Sequence, residues 1–167
     1  MGRKPFWTRS GFAVRFRIDA TRTGLSLSFY VLWFMELASA VRIFKTRWFG
    51  RYARRERIDD ESLTEAIARA ERGLADADLG GGIIKQRVAR SGQGRSGGHR
   101  VLVAYRAGDR AVFLYGFAKS ERENIGPDEL LTLRDIGAAW LAADAGRIAQ
   151  ALNEDALQEV THDGQFP

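Results

Sequence analysis

The chain has 167 residues, of which 45% are hydrophobic and 28% charged, a composition typical of a globular protein long enough to bury a core. It has no cysteine and two histidines, which excludes a disulfide scaffold and a thiolate metal site and argues against a zinc site. The net charge of +5 is unevenly distributed, because residues 42–122 carry 18 basic and 10 acidic residues, whereas residues 123–167 carry 2 basic and 9 acidic ones. A basic middle predicts a polyanionic partner, with a solvated basic face as the alternative.

Residues 1–40 differ from the rest of the chain and are interpreted as an N-terminal extension. The apolar run Leu25–Met35 has 11 residues, fewer than the roughly 20 that a membrane-spanning helix needs. Ala38-Ser39-Ala40 resembles the cleavage site of an export signal. Three interpretations stay open: a signal or anchor, a spurious extension upstream of a true start at Met35, and a helix that packs on the domain.

The next elements are predicted to be one strand and two helices. Val41–Lys45 alternates as a short strand, and Trp48–Arg57 places its aromatic residues at helical spacing. Asp59–Ser62 supplies an N-cap and an acidic first turn for the second helix. The apolar face of that helix is formed by Leu63, Ile67, Ala70 and Leu74.

Three further strands are predicted to form an antiparallel meander. Ile83–Ala89 and His99–Arg106 alternate in polarity, and Ala107–Asp109 is a short turn. Arg110–Ala118 is apolar on both faces, which indicates the central strand of the sheet.

The C-terminal part is predicted to contain a long helix, a short helix and a tail. Gly126–Glu129 begins the long helix, and Ala145–Leu152 forms the short one. The buried stripe of the long helix is expected to comprise Leu130, Leu133, Ile136, Gly137, Trp140 and Leu141. Residues 41–143 are taken as the main domain and 144–167 as a short helix with an acidic tail. That tail is expected to be solvated, with shielding of the basic face as the alternative.

The loop between the first two meander strands contains Gly92–Gly97, which matches the pattern G-x-G-x-x-G. A dinucleotide site needs a helix after the glycines, but a predicted strand follows them here. The kinase and P-loop motifs that would justify a phosphate loop do not occur. No nucleotide cofactor is therefore expected, and no other cofactor or metal either.

Between Ile83 and Gly108 there is no acidic residue, and the six basic ones are Lys85, Arg87, Arg90, Arg95, Arg100 and Arg106. Glycine lets backbone N–H groups approach an anion, and arginine grips phosphate through a planar fork. The region therefore predicts a contact with a polynucleotide backbone. An ordinary mobile hairpin with solvated arginines is the alternative.

Three segments together resemble the RelE/ParE toxin superfamily, and especially its RelE-like and HigB-like messenger-RNA endonucleases. They are Lys85–Arg87, Arg95–Tyr105 and Phe113–Arg122, within a similarity that runs from about Val41 to Leu141. The resemblance implies an α+β fold with a small antiparallel sheet, in the order strand–helix–helix–strand–strand–strand, and a C-terminal helix. It also implies a cytoplasmic toxin whose partners are a helix-turn-helix antitoxin, the ribosome and messenger RNA, with no membrane association.

The resemblance further implies cleavage of messenger RNA by attack of the ribose 2′-OH on the adjacent phosphate. Lys85, Arg87, Arg100 and Lys119 match the catalytic positions, and Arg90, Arg95, His99 and Arg122 are assigned to RNA binding. Crowded cations lower the pKa of a neighbouring lysine, which suits it to act as a base, and arginine stabilises the transition state.

Two positions depart from the family pattern. Ser120 stands where RelE has an arginine that acts as general acid, and no tyrosine near Ile125 matches the one that stacks on the messenger base. His99 either supplies the missing acid or base or is structural. A protein that binds its target without cutting it, as the gyrase-poisoning ParE branch does or as a degenerate toxin would, is the alternative function.

Overall fold

The computed structural model describes residues 41–89 and 98–161, which form six strands and four helices. In chain order these are β1 (Arg42–Thr46), α1 (Arg47–Glu56), α2 (Asp60–Glu71), β2 (Ala77–Asp78), β3 (Ile83–Val88), β4 (His99–Arg106), β5 (Arg110–Ala118), α3 (Pro127–Ala142), α4 (Ala145–Asn153) and β6 (Leu157–Glu159). The predicted α+β class and element order are confirmed. The predictions for residues 1–40 and for the glycine-rich loop, with Arg90 and Arg95, lie outside the described residues.

The strands form one sheet in the order β2-β3-β4-β5-β1-β6. β3, β4 and β5 form the predicted antiparallel meander, and β5 is central, with Val112 and Phe113 fully buried. One pair departs from the expected antiparallel arrangement, because β1 runs parallel to β5, with Phe44 opposite Val112. Between β1 and β5 the chain forms two helices and strands β2–β4. This long connection allows β5 to run in the same direction as β1.

A hydrophobic cluster covers each face of the sheet. α1 and α2 bury Phe49, Tyr52 and Leu63 against one face, and α3 and α4 bury Leu141 and Ile148 against the other. Successive strand residues point to opposite faces, so β1, β3, β4 and β5 each contribute to both clusters. This alternation also decides which side chains reach the candidate site.

α3 contacts the sheet through a smaller stripe than predicted. Gly137 and Leu141 are buried, whereas Ile136, assigned to the buried stripe, is 41% exposed. A Cβ added to Gly137 would meet Ile83 Cδ1 at 2.7 Å, so the helix approaches the sheet most closely at this glycine. Ile136 lies about 100° around the helix from Gly137 and therefore faces outward.

The described part of the predicted acidic tail, residues 153–161, is not a solvated tail. β6 pairs antiparallel with β1, and Leu157 and Val160 are buried. Arg42 Nε donates a hydrogen bond of 2.9 Å to Glu159 Oε1 across the two strands. A strand of three residues is too short for its alternation to be recognised, and the acidic composition around it is typical of a tail.

Replacing Leu157 by alanine is expected to lower the free energy of unfolding by about 2–5 kcal/mol, because it leaves a cavity beneath the edge strand. Leu157 is 1% exposed, whereas Leu131 on α3 is 59% exposed. Urea unfolding of Leu157→Ala and of the control Leu131→Ala checks the prediction. Equal stability of the two variants would mean that β6 does not pack in solution.

None of the described helices is long and apolar enough to cross a bilayer.

Candidate functional site

A polar cleft of about 290 Å³ lies where β3, β4 and the end of β5 meet the segment that precedes α3. All four residues predicted to be catalytic line it. Its lining comprises Lys85, Arg87, Arg100 and Lys119, together with Asp76, Glu123 and Asn124. Residues from four separate parts of the chain therefore converge on one small volume.

Strand periodicity and register bring the cations together. Lys85 and Arg87 are two residues apart on β3 and therefore point to the same face. Arg87 lies directly opposite Arg100 on β4, and Arg100 lies opposite Phe117 on β5. Lys119 follows the end of β5 and adds a fourth positive charge.

Like charges directly opposite each other destabilise a sheet, so this face needs compensation. Asp76 supplies part of this compensation. Its Oδ2 accepts a hydrogen bond of 2.6 Å from the backbone N–H of Arg87, and its Oδ1 lies 3.5 Å from the side-chain Nε of Arg87. Lys85 Nζ donates to Asn124 Oδ1 at 3.3 Å. The cleft is thus cationic, and two of its four cations, Lys85 and Arg87, are held by neighbouring acceptors.

Sequence reasoning missed Asp76, Glu123 and Asn124. Asp76 immediately precedes β2, which has two residues and shows no alternation that would mark it as a strand. Glu123 and Asn124 lie in the irregular segment between β5 and α3. Only the folded chain shows that these polar residues face the basic strands.

Arg100 is the cation whose hydrogen-bonding groups point most clearly to a ligand. Its Nη1 is buried and has no hydrogen-bond partner among the described residues. A buried donor without an acceptor costs about 1–3 kcal/mol. An anion bound in the cleft would supply the acceptor and remove that penalty.

His99, which was predicted to bind RNA, does not line the cleft. It neighbours Arg100 on β4 and therefore points to the opposite face, where it is 2% exposed. Its Nδ1 lies 2.7 Å from Tyr52 Oη, and the two rings meet edge to face. Burial raises the pKa of the Tyr52 hydroxyl well above its usual range. This pair secures α1 to the sheet.

Arg122 was also predicted to bind RNA, and its guanidinium is bound by Glu129 on α3. Nη1 and Nη2 donate to Oε1 and Oε2 at 3.1 and 2.6 Å, and Nε donates to the carbonyl oxygen of Asn124. Glu129 Oε2 also accepts the Gly126 N–H at 2.9 Å at the start of the helix. Arg122 therefore holds the segment beside the cleft but does not line the cleft itself.

The Arg122–Glu129 pair predicts a pH-dependent contribution to stability. Hydrogen bonds from Arg122, and then from the Gly126 N–H, lower the pKa of Glu129 from 4.5 to about 2. A depressed carboxyl pKa stabilises the fold above pH 4.5, and this contribution disappears as the pH falls through about 2. Thermal melts should show Glu129→Gln less stable than the wild type at pH 6, with the difference vanishing near pH 2. A difference that persists unchanged at pH 2 would contradict this assignment.

No group of three or more histidine, aspartate or glutamate side chains is arranged to hold a metal ion in the described part of the chain. The charged groups that line the cleft are amines, guanidinium groups and carboxylates. Such groups bind phosphate, transfer protons and stabilise developing negative charge.

The chain matches the family model described as the RelE toxin of the RelE/RelB toxin–antitoxin system, over residues 41–160. This range contains every described helix and strand, from β1 to β6, and all the residues that line the cleft. No curated protein matches the chain.

Proposed function

Since the chain belongs to the RelE toxin family and is the toxin of a toxin–antitoxin pair, we propose that it is a ribosome-dependent endoribonuclease that cleaves messenger RNA in the described cleft. The antitoxin is its protein partner. We propose in addition that the protein acts on the ribosome, that messenger RNA is its substrate and that it cleaves this RNA.

In the proposed reaction the ribose 2′-OH attacks the adjacent phosphorus and the bond to the 5′ oxygen of the next nucleotide breaks. The products are a 2′,3′-cyclic phosphate and a 5′-OH. A base must take the 2′-OH proton, and the leaving 5′ oxygen takes a proton from solvent water. Lys85 is proposed as the base, since it is the lysine that a neighbouring acceptor, Asn124, holds in the cleft.

The arginines are proposed to stabilise the phosphorane-like transition state. Arg100 supplies a buried Nη1 that has no other acceptor in the described structure, and Arg87 is held toward the same cleft by Asp76. Donors that are already oriented stabilise developing charge without reorganising during the reaction. Lys119 adds positive charge at the end of β5.

The observation that carries this proposal is the convergence of Lys85, Arg87, Arg100 and Lys119 on one cleft. They belong to two strands, β3 and β4, and to the turn after β5, and nothing in the packing of the core requires all four to be cationic.

A toxin that binds its target without cutting it is the second candidate. Ser120 favours this candidate. It follows Lys119 in the sequence and is exposed, and it occupies the position at which RelE has an arginine that acts as general acid. In that case the same cleft would hold a polyanion without completing the proton transfers.

Expression of the full chain in bacteria under tight control, with mapping of messenger 5′ ends, separates the candidates. Growth arrest with new in-frame 5′-OH ends is expected for the nuclease. Arrest with intact messages and DNA damage would favour gyrase poisoning and overturn the nuclease proposal. Absence of arrest, with the protein shown to be folded and abundant, would overturn both toxic activities.

A further inference from the structure

α1 carries a second basic surface, away from the cleft. Arg47, Arg51, Arg54 and Arg55 recur at the spacing i, i+4, i+7, i+8, so they lie along one face of the helix, and all four are exposed. The opposite face of α1 buries Phe49 and Ala53. The four arginines therefore form a stripe on the exposed face of α1 and do not take part in the packing of the core.

This stripe is poorly neutralised within the described chain. Arg55 pairs with Glu56 at 2.9 Å, and Arg47 Nε donates to the carbonyl oxygen of Asp155 at 3.0 Å. Arg51 and Arg54 form no ion pair among the described residues. The first turn of α1 has no acidic residue, although a helix N-terminus favours acids. Such an arrangement is stabilised by an external anion.

An exposed tryptophan lies beside the stripe. Trp48 is 41% exposed and stacks on Tyr115 at a centroid distance of 4.6 Å. A groove of about 480 Å³ runs between α1 and the end of α3, and Arg47, Trp48, Arg51 and Trp140 line it. Its carboxylate, Glu154, accepts a hydrogen bond from Gln150 at 2.7 Å. Aromatic rings interleaved with arginines are the usual composition of surfaces that bind unpaired nucleic acid.

A row of aromatic side chains joins this surface to the cleft. Phe117 lies opposite Arg100 in the sheet, its ring lies 6.3 Å from Tyr115, and Tyr115 stacks on Trp48. The guanidinium of Arg122 lies over the Phe117 ring at 5.7 Å. Phe117 is buried at 2% exposure, so Tyr115 and Trp48 are the rings of this row that a strand leaving the cleft at Lys119 can contact.

We propose that α1 and Trp48 form a second subsite for single-stranded RNA, in which Arg51 and Arg54 contact phosphates and Trp48 stacks on an unpaired base of the strand that leaves the cleft. This proposal rests on the proposed function, because it assumes that RNA binds in the cleft. RNA is favoured over an acidic protein because the stripe is bordered by Trp48, whose exposed ring lies beside the partly exposed Tyr115 and offers a surface on which an unpaired base can stack.

The test compares two labelled single-stranded RNAs, one of about three nucleotides that fills the cleft alone and one of about 12 that reaches α1. Binding to the full-length protein is measured by fluorescence anisotropy at several salt concentrations. The variant Arg51→Ala/Arg54→Ala is compared with Arg72→Ala/Arg106→Ala, which removes the same charge from exposed positions elsewhere.

For the long RNA, loss of two phosphate contacts is expected to reduce the slope of log K against log salt by about 1.4, or roughly 0.7 for each contact. The short RNA should bind the α1 variant as it binds the wild type. Trp48→Phe should weaken binding of the long RNA alone, because a smaller ring stacks less. The Arg72/Arg106 control should keep the wild-type slope.

Three outcomes would overturn the proposal. The first is an unchanged slope in the α1 variant, the second is an equal reduction in the control, and the third is unchanged RNA binding with loss of affinity for the antitoxin, which would make α1 a protein interface. If Arg100→Ala leaves binding of the short RNA unchanged while the α1 variant loses the long one, the cleft proposal fails and the α1 proposal stands.

Discussion

Replacing Arg100 by alanine is expected to lower the rate of messenger cleavage by about 10²–10³-fold, the usual effect of removing one oriented donor from a transition state. Arg100 is the residue whose Nη1 is buried without an acceptor in the described structure, and it lies opposite Arg87 at the centre of the basic face. Arg100→Lys retains the charge but loses the planar fork, so it should recover only part of the rate. Single-turnover cleavage of a defined messenger on purified ribosomes provides the measurement.

The matched control for this experiment is Arg106→Ala. Arg106 belongs to the same strand, but it is exposed at the other end and pairs with Asp109 at 3.1 Å. Its loss should leave the rate unchanged. If Arg100→Ala is folded and cleaves as fast as the control, the cleft is not where the phosphate binds, and the assignment of the site is wrong.

The convergence of the cations follows from information that is local in the sequence. A period of two on β3 places Lys85 and Arg87 on one face, and the same rule on β4 separates Arg100 from its neighbour His99. The alternation that predicted the strand therefore also indicated that His99 shares a face with Val101 and Val103, which are both buried. The same pattern places the side chain of His99 on the face of the sheet opposite that of Arg100.

Other features of the site depend on contacts between distant parts of the chain. Asp76 reaches Arg87 only because β2 pairs with β3, and Arg122 is bound by Glu129 only because the segment after β5 folds back onto α3. β6 forms because β1 offers it an unpaired edge and a neighbouring apolar cluster. Elements of two or three residues have too few positions for periodicity to reveal them, so only the tertiary structure identifies them.

Replacing Lys85 by arginine is expected to reduce cleavage as much as replacing it by alanine, by about 10²–10⁴-fold, which is the range for loss of a general base. Arginine keeps the positive charge and has the reach to contact Asn124, but it does not release its proton in proteins. The pair of variants therefore separates proton transfer from charge. The measurement is the single-turnover rate of each variant at saturating ribosome concentration.

Lys119 provides the matched comparison, because it lines the same cleft and carries the same charge but has no hydrogen-bonded acceptor among the described residues. If Lys119 contributes charge alone, Lys119→Arg should retain most of the activity that Lys119→Ala loses. If Lys85→Arg is active and Lys119→Arg is inactive, the base is Lys119 and not Lys85. Retention of full activity in both arginine variants would mean that neither lysine takes the proton, which would leave the carboxylates of Asp76 and Glu123 as the groups in the cleft able to accept it.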